Sequence, residues 1–220
     1  MSTTLYVELL DIPCGALLLT AVLILWRREL SAVTTVFAVQ GVALAATVGV
    51  LAVQQRDTEL GVVAVGLLIL RAGVLPWLLR RALAGAGQAQ RELRPLVNVV
   101  ASLLVAGGLT LLAYAVSQPL IALAPSPATH AIPVGLAVVL IGFFVLISRR
   151  LALSQLVGFL LMDNGITTVA FLTTSGVGLV VELGLSLDVV LVVVVLQILN
   201  ARIRAAFGGT DLDELRELHD

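Results

Sequence analysis

The chain has 220 residues, 60% of them hydrophobic and only 12% charged, with a mean hydropathy of +1.10. Soluble domains carry about 25% charged residues, so this composition excludes an ordinary soluble enzyme and predicts a polytopic membrane protein. The net charge of -1 offers nothing to a nucleic-acid partner, and one cysteine, Cys14, excludes an internal disulfide or a cysteine-cluster metal site.

The opening MSTTLYVELLD is acidic and lacks the basic region of a signal peptide, so the first apolar segment is read as a retained span. A span needs about 20 apolar residues. Segments 9–26, 32–53, 60–79, 96–116, 134–148, 151–173 and 177–200 meet or approach that length, which predicts an all-α chain of about seven transmembrane helices. Helices are the expected spanning structure, because backbone amides in lipid must bond within their own segment. Barrel strands are shorter and alternate in polarity.

The whole of 1–220 reads as a single membrane domain. Four N-terminal helices occupy 9–116, a Pro-rich loop (Pro119, Pro125, Pro127, Pro133) covers 117–133, three C-terminal helices occupy 134–200, and 201–220 form an acidic tail. In that tail Leu212, Leu215 and Leu218 recur at helical spacing, which suits either a solvated end or a small amphipathic helix on a partner.

Every basic residue is an arginine. With seven spans, Arg27, Arg28, Arg80, Arg81, Arg91, Arg94, Arg149, Arg150, Arg202, Arg204 and Arg216 fall on one side, and Arg56 alone on the other. The positive-inside rule then puts the N-terminus outside and the C-terminus in the cytoplasm.

Three carboxylates stand where lipid-compatible residues belong: Asp163 in the sixth span, and Glu182 and Asp188 in the seventh. An ionisable side chain at the bilayer centre costs about 2.5–3.5 kcal/mol on insertion scales, so such residues face the bundle interior and mark ion paths or fixed ion pairs. Asp163 is followed by Asn164, Thr167 and Thr168, a polar face that should look inward. Glu182 lies six residues before Asp188, about 9 Å along the axis and on a different face. Arg71 sits midway in the third span. A guanidinium stays protonated, so Arg71 can hold an acid ionised but cannot relay a proton. Its expected partner is Asp163 or Asp188. Pro76 deprives the Ala72 carbonyl of its helical donor and loosens the backbone beside Arg71. Gln40 and Gln197 read mainly as interhelical hydrogen-bonding groups, Gln40 also as a member of an ion path. Gly61, Gly66, Gly107, Gly108, Gly135, Gly142, Gly158 and Gly165 suit close helix packing. His130 falls in a loop and His219 in the tail, without metal-ligand neighbours, so neither a metal nor another cofactor site is read here. No nucleophile–base constellation or nucleotide-binding motif is present, so no catalytic residue is assigned.

The run LVGFLLMDNG, then VELGLSLD, then the arginine-containing end and acidic tail, resembles hydrogenase-4 component E, a membrane subunit of group 4 nickel–iron hydrogenase and formate hydrogenlyase complexes. The segment 149–200 is also similar to the small K-type subunit of respiratory complex I and to the small C-type subunit of multi-subunit cation/proton antiporters. The match is specific over 149–220 and looser over ILRAGVLPWL and around Gln40. Asp163 falls where component E has the acid of its Met-acid-Asn-Gly motif, here one methylene shorter than Glu. Glu182 and Asp188 match the acids of the last span. Arg71 stands where that family carries a lysine, which favours a fixed counter-charge. In the K-type subunit the first acid comes about one turn earlier, where this chain has Leu160, so that likeness is architectural.

The resemblance implies a non-catalytic membrane-arm subunit of an oxidoreductase complex in a bacterial or archaeal cytoplasmic membrane. Its neighbours would be antiporter-like subunits and the membrane anchor of a redox arm. The ion path would comprise Asp163, Asp188, Glu182, Arg71 and Gln40, coupling electron transfer to H+ or Na+ movement. Nickel–iron and iron–sulfur clusters would belong to partner subunits. Two other readings stand beside it: a stand-alone cation/proton transporter, and a scaffold whose acids are static ion pairs.

Overall fold

A computed structural model of the chain describes residues 3–27, 29–84, 97–123, 125–149, 152–173 and 194. The described residues form helices α1 (Thr3–Trp26), α2 (Leu30–Gln55), α3 (Thr58–Leu67), α4 (Leu75–Ala84), α5 (Val99–Leu123), α6 (Ile132–Ser148) and α7 (Ala152–Thr173). A π-helical segment, Leu68–Val74, joins α3 to α4 without a break, and a 3-10 turn, Thr129–Ala131, leads into α6. No strand occurs among the described residues. Six continuous stretches in them are long and apolar enough to cross a membrane, and Thr58–Arg81 counts as one of these through its π segment. Apart from residue 194, the predicted seventh span, 177–200, and the tail lie outside the described residues.

The ends of these helices follow from local chemistry. Arg56 closes α2 in the left-handed conformation (φ 55°), with its N–H on the Ala52 carbonyl. Asp57 then opens α3, accepting from the N–H groups of Glu59 (2.9 Å) and Leu60 (3.2 Å). This carboxylate cap satisfies two of the donors that a helix start leaves open. Asn98 does the same for α5 through the Ala101 N–H at 2.7 Å.

The Pro-rich connection is shorter than 117–133. Helix α5 continues through Pro119 to Leu123, and Pro133 is in the first turn of α6. Pro119 removes one backbone donor. The preceding Ser117 hydroxyl and Gln118 amide both donate to the Tyr114 carbonyl, one residue before the Ala115 carbonyl that Pro119 leaves without its helical donor. Pro133 fits because a first-turn N–H has no helical partner to lose. Helix α1 likewise begins earlier than residue 9 and carries the exposed Glu8 and Asp11 in its first turns.

The chain direction alternates, so α1, α4 and α6 end at one face of the bundle, the arginine end, with Arg27, Arg80, Arg81 and Arg149. Arg56 and the proline turn lie at the opposite, proline end. Arg149 is buried, and its Nη2 donates to the carbonyls of Leu25 (3.2 Å), Ile24 (3.4 Å) and Arg27 (3.5 Å), the last turn of α1. A cation there complements the negative end of the helix dipole.

Helices α6 and α7 form the tightest pair, antiparallel and locked by glycines. A Cβ on Gly158 would lie 2.6 Å from the Leu146 nitrogen, and one on Gly165 would lie 2.6 Å from the Val139 nitrogen. Gly135 meets Val169, and Gly142 faces Gly158 and Met162, from the other side. Without a hydrophobic effect between helices in lipid, such close backbone approach supplies the packing energy. Gly61, Gly107 and Gly108 have open space instead, so the expectation that they pack helices together does not hold for them.

The core divides into two apolar clusters. One fills the arginine half, around Leu17, Ile24, Phe37, Leu75, Ile141 and Leu160. The other fills the proline half, around Leu10, Val48, Leu51, Leu67, Ile132 and Phe171. Arg71 falls between Leu67 and Leu75, and Asn164 and Thr167 fall between Leu161 and Phe171. The polar residues of these two helices therefore occupy a layer inside the bundle.

Candidate functional site

That layer is built from α2, the π-helical segment and α7. Arg71 is 1% exposed. Its Nη1 forms a salt bridge with the Asp163 carboxylate and donates to the Asn164 side-chain oxygen, while Nη2 donates to the Thr167 hydroxyl at 2.9 Å. One guanidinium thus engages three side chains of one α7 face, because positions 163, 164 and 167 lie within a turn of each other. The Asn164 amide donates to Gln40 Oε1 at 2.9 Å, and the Gln40 amide donates to the Leu17 carbonyl at 3.3 Å. Among the described residues the network therefore runs from the α1 backbone through α2 and α7 to Arg71 and Asp163.

The two ends differ in enclosure. Gln40 and Asn164 are fully buried, whereas the Asp163 side chain keeps 20% of its surface accessible. A buried charge needs a paired, hydrogen-bonded partner to persist. Arg71 supplies one for Asp163, and the carboxylate stands at the edge of the cluster.

The backbone beside Arg71 departs from the α-helix. The N–H of Leu75 bonds to the Leu70 carbonyl, five residues back rather than four. Pro76 follows and has no N–H of its own, so the ladder cannot return to α spacing until past it. The expected loosening at Pro76 is thus a π-helical segment, Leu68–Val74, with Arg71 at its centre.

Gly41 brings α2 onto this segment. A Cβ there would lie 2.6 Å from the Arg71 carbonyl carbon, 2.7 Å from its oxygen and 2.8 Å from the Ala72 nitrogen. Only glycine lets the two backbones meet this closely, and the neighbouring Gln40 reaches Asn164 as a result. The glycine pattern in the sequence does not single out Gly41. Its signal is adjacency to a buried Gln, which becomes informative once Arg71 is known to lie opposite.

Of the residues singled out from sequence, the structure brings Arg71, Asp163 and Gln40 into one cluster, with Asn164 and Thr167 as bridging members. Of the two candidate partners for Arg71, Asp163 is bonded to it. Glu182, Asp188 and Gln197 lie outside the described residues. No group of three or more His, Cys, Asp or Glu suited to a metal ion occurs among the described residues.

The described residues define a helical bundle with six stretches long and apolar enough to cross a membrane and an arginine–aspartate pair inside it. The chain is 49% identical over 220 residues to the uncharacterized protein Rv0085 of Mycobacterium tuberculosis, covering the full length of both. It belongs to the family of that protein. No family model matches the chain, and no solved structure matches it.

Proposed function

We propose that this chain is an ion-translocating subunit of the membrane arm of a hydrogenase-4-like or complex-I-like redox complex, in which Asp163 is a buried acid of a proton or sodium path. The observation that carries the reading is the Arg71–Asp163 pair, held at the π-helical centre of a spanning helix with its carboxylate at the edge of a buried polar cluster. A carboxylate there can bind and release H+ or Na+, and the fixed guanidinium sets how tightly it does so. π-Helical turns within α-helices are frequent at functional positions. Arg71 acts as counter-charge, and Asn164, Thr167 and Gln40 hold the pair in register.

In this reading the chain has seven spans, with the N-terminus outside and the C-terminus in the cytoplasm of a bacterial or archaeal cell. The gathering of Arg27, Arg80, Arg81 and Arg149 at one end supports that orientation. Asp188 and Glu182 of the last span would continue the path. The partners are antiporter-like membrane subunits and the anchor of a redox arm, and the metal clusters belong to those partners.

A second reading has its own observation. Arg71 holds three side chains of α7 at once, which suits a static clamp in a scaffold subunit. The two readings separate on Asp163→Asn in the assembled complex. Ion pumping that falls while assembly is kept supports the path, and wild-type pumping supports the clamp. A gentle-detergent pull-down of the tagged chain tests the setting: antiporter-like subunits with an iron–sulfur or nickel–iron arm are expected. A chain that purifies alone would contradict it.

A further inference from the structure

We infer that the crevice at the proline end is the aqueous mouth of a path to the Arg71–Asp163 cluster, closed by an apolar collar around Phe171. The inference rests on the reading of Asp163 as a member of an ion path and gives that path its open side.

The crevice has a volume of about 510 Å3, and Tyr6, Gln55, Ser126, Thr129, Phe171 and Thr173 are among its lining residues. Among the described residues the lining mixes hydroxyl, amide and apolar groups and includes no charged side chain. Such a wall offers hydrogen bonds to water without fixing an ion or a charged headgroup. Beneath it Leu10, Leu51, Phe171 and Leu172 are all at most 3% exposed and pack in one cluster. They form the collar.

Polar groups return below the collar on the helices that line the crevice. Cys14 and Thr47 are buried, and Thr168 is fully buried. Thr168 lies four residues beyond Asn164, about 6 Å along α7, and Thr47 lies seven beyond Gln40, about 10 Å along α2. These threonines donate to carbonyls of their own helices, Thr168 to Asn164 (2.7 Å) and Thr47 to Ala43 (3.0 Å). Their hydroxyl oxygens retain acceptor capacity for a water. Hydroxyls buried in an apolar core cost free energy unless they find partners. Placed between the collar and the cluster, they make a polar step from one to the other.

The arginine end is different. Its crevice, lined in part by Arg27, Arg149 and Ser154, has a volume of about 10 Å3, room for about one water. Between it and Arg71 lies the apolar cluster around Phe37, Leu75 and Leu160. Of these two crevices, the one at the proline end is by far the larger.

The test uses silver ions, a small thiol-reactive cation, on the full chain in its native membrane. Cys14→Ala removes the chain's one cysteine. Single cysteines are then placed by Ser126→Cys at the mouth, Thr168→Cys below the collar and Ser154→Cys at the arginine end. Vesicles of each orientation expose one face to silver, and the surviving thiols are counted after denaturation. Ser126→Cys and Thr168→Cys should react from the proline-end face only, the second more slowly. Adding Phe171→Ala should speed Thr168→Cys roughly tenfold, which corresponds to about 1.4 kcal/mol off the access barrier. Thr47→Cys should follow Thr168→Cys and replaces it if that variant fails to fold. Thiols at both inner positions that resist silver even with Phe171→Ala, or that react first from the arginine face, overturn the inference. Failure here and failure of the functional reading are distinguishable. Silver access with full pumping by Asp163→Asn removes the function and keeps the path. Lost pumping without silver access does the reverse.

Discussion

Gly41 of α2 lies against the backbone of Arg71 so closely that a Cβ would fall 2.6 Å from the Arg71 carbonyl carbon. The atoms it would meet are backbone, which cannot swing aside. Gly41→Ala must therefore push α2 off the π-helical segment. Overpacking of this kind costs about 1–3 kcal/mol, so the thermal midpoint in detergent should drop and the Gln40–Asn164 bond should weaken. Gly61→Ala, which has open space, is the control and should match or slightly exceed the parent. Equal midpoints for the two variants would contradict the close approach.

Removing one partner of the buried pair should hurt more than removing both. Arg71→Met leaves Asp163 beside a buried site without its cation, and breaking such a pair costs about 3–5 kcal/mol. Adding Asp163→Leu removes the stranded charge and should recover much of that loss. The measurement is a double-mutant cycle on thermal stability. Additive effects would show that Arg71 and Asp163 do not depend on each other.

Gly165 adjoins Asn164, so the α6–α7 packing also sets the site. A Cβ at Gly165 would lie 2.6 Å from the Val139 nitrogen. Gly165→Leu should separate α6 from α7 and reduce the yield of a cross-link between cysteines placed by Val139→Cys and Val169→Cys. Gly107→Leu, on an α5 face with open space, should leave that yield unchanged.

The turn between α2 and α3 offers substitutions of opposite sign at neighbouring positions. Asp57→Ala removes the cap from the Glu59 and Leu60 N–H groups and should cost about 1 kcal/mol. Arg56→Gly relieves a left-handed conformation that costs a side chain about 1–2 kcal/mol, and should raise the midpoint. Shifts of the same sign in both variants would contradict this account of the turn.

Much of this is legible in the sequence. Spans follow from length and hydropathy. Arg71, Asp163 and Gln40 stand out because each is a polar or charged group where lipid belongs. The inward face formed by Asn164 and Thr167 follows from helical spacing. What could not be read is who meets whom. Arg71 and Asp163 are 92 positions apart, and Asp188 satisfied the same one-sequence logic. Gly41 was invisible for the same reason, since close approach is a property of the opposite helix. Helix ends were missed at Pro119 and before residue 9. A proline needs only the loss of one bond to remain in a helix, and the polar first turns of α1 need no apolar face. Pro76 announced a disturbance near Arg71, but its form, a register of five rather than four, depends on the surrounding packing.

The central claim is that Asp163 carries ions rather than merely bracing Arg71. The most direct measurement is ion uptake by membrane vesicles holding the assembled complex, driven by its own electron transfer, with Asp163→Asn against wild type. The account predicts normal assembly and electron transfer with ion uptake largely lost, and partial recovery with Asp163→Glu, which restores the carboxylate. Full ion uptake by Asp163→Asn would contradict it and leave the pair as a structural clamp.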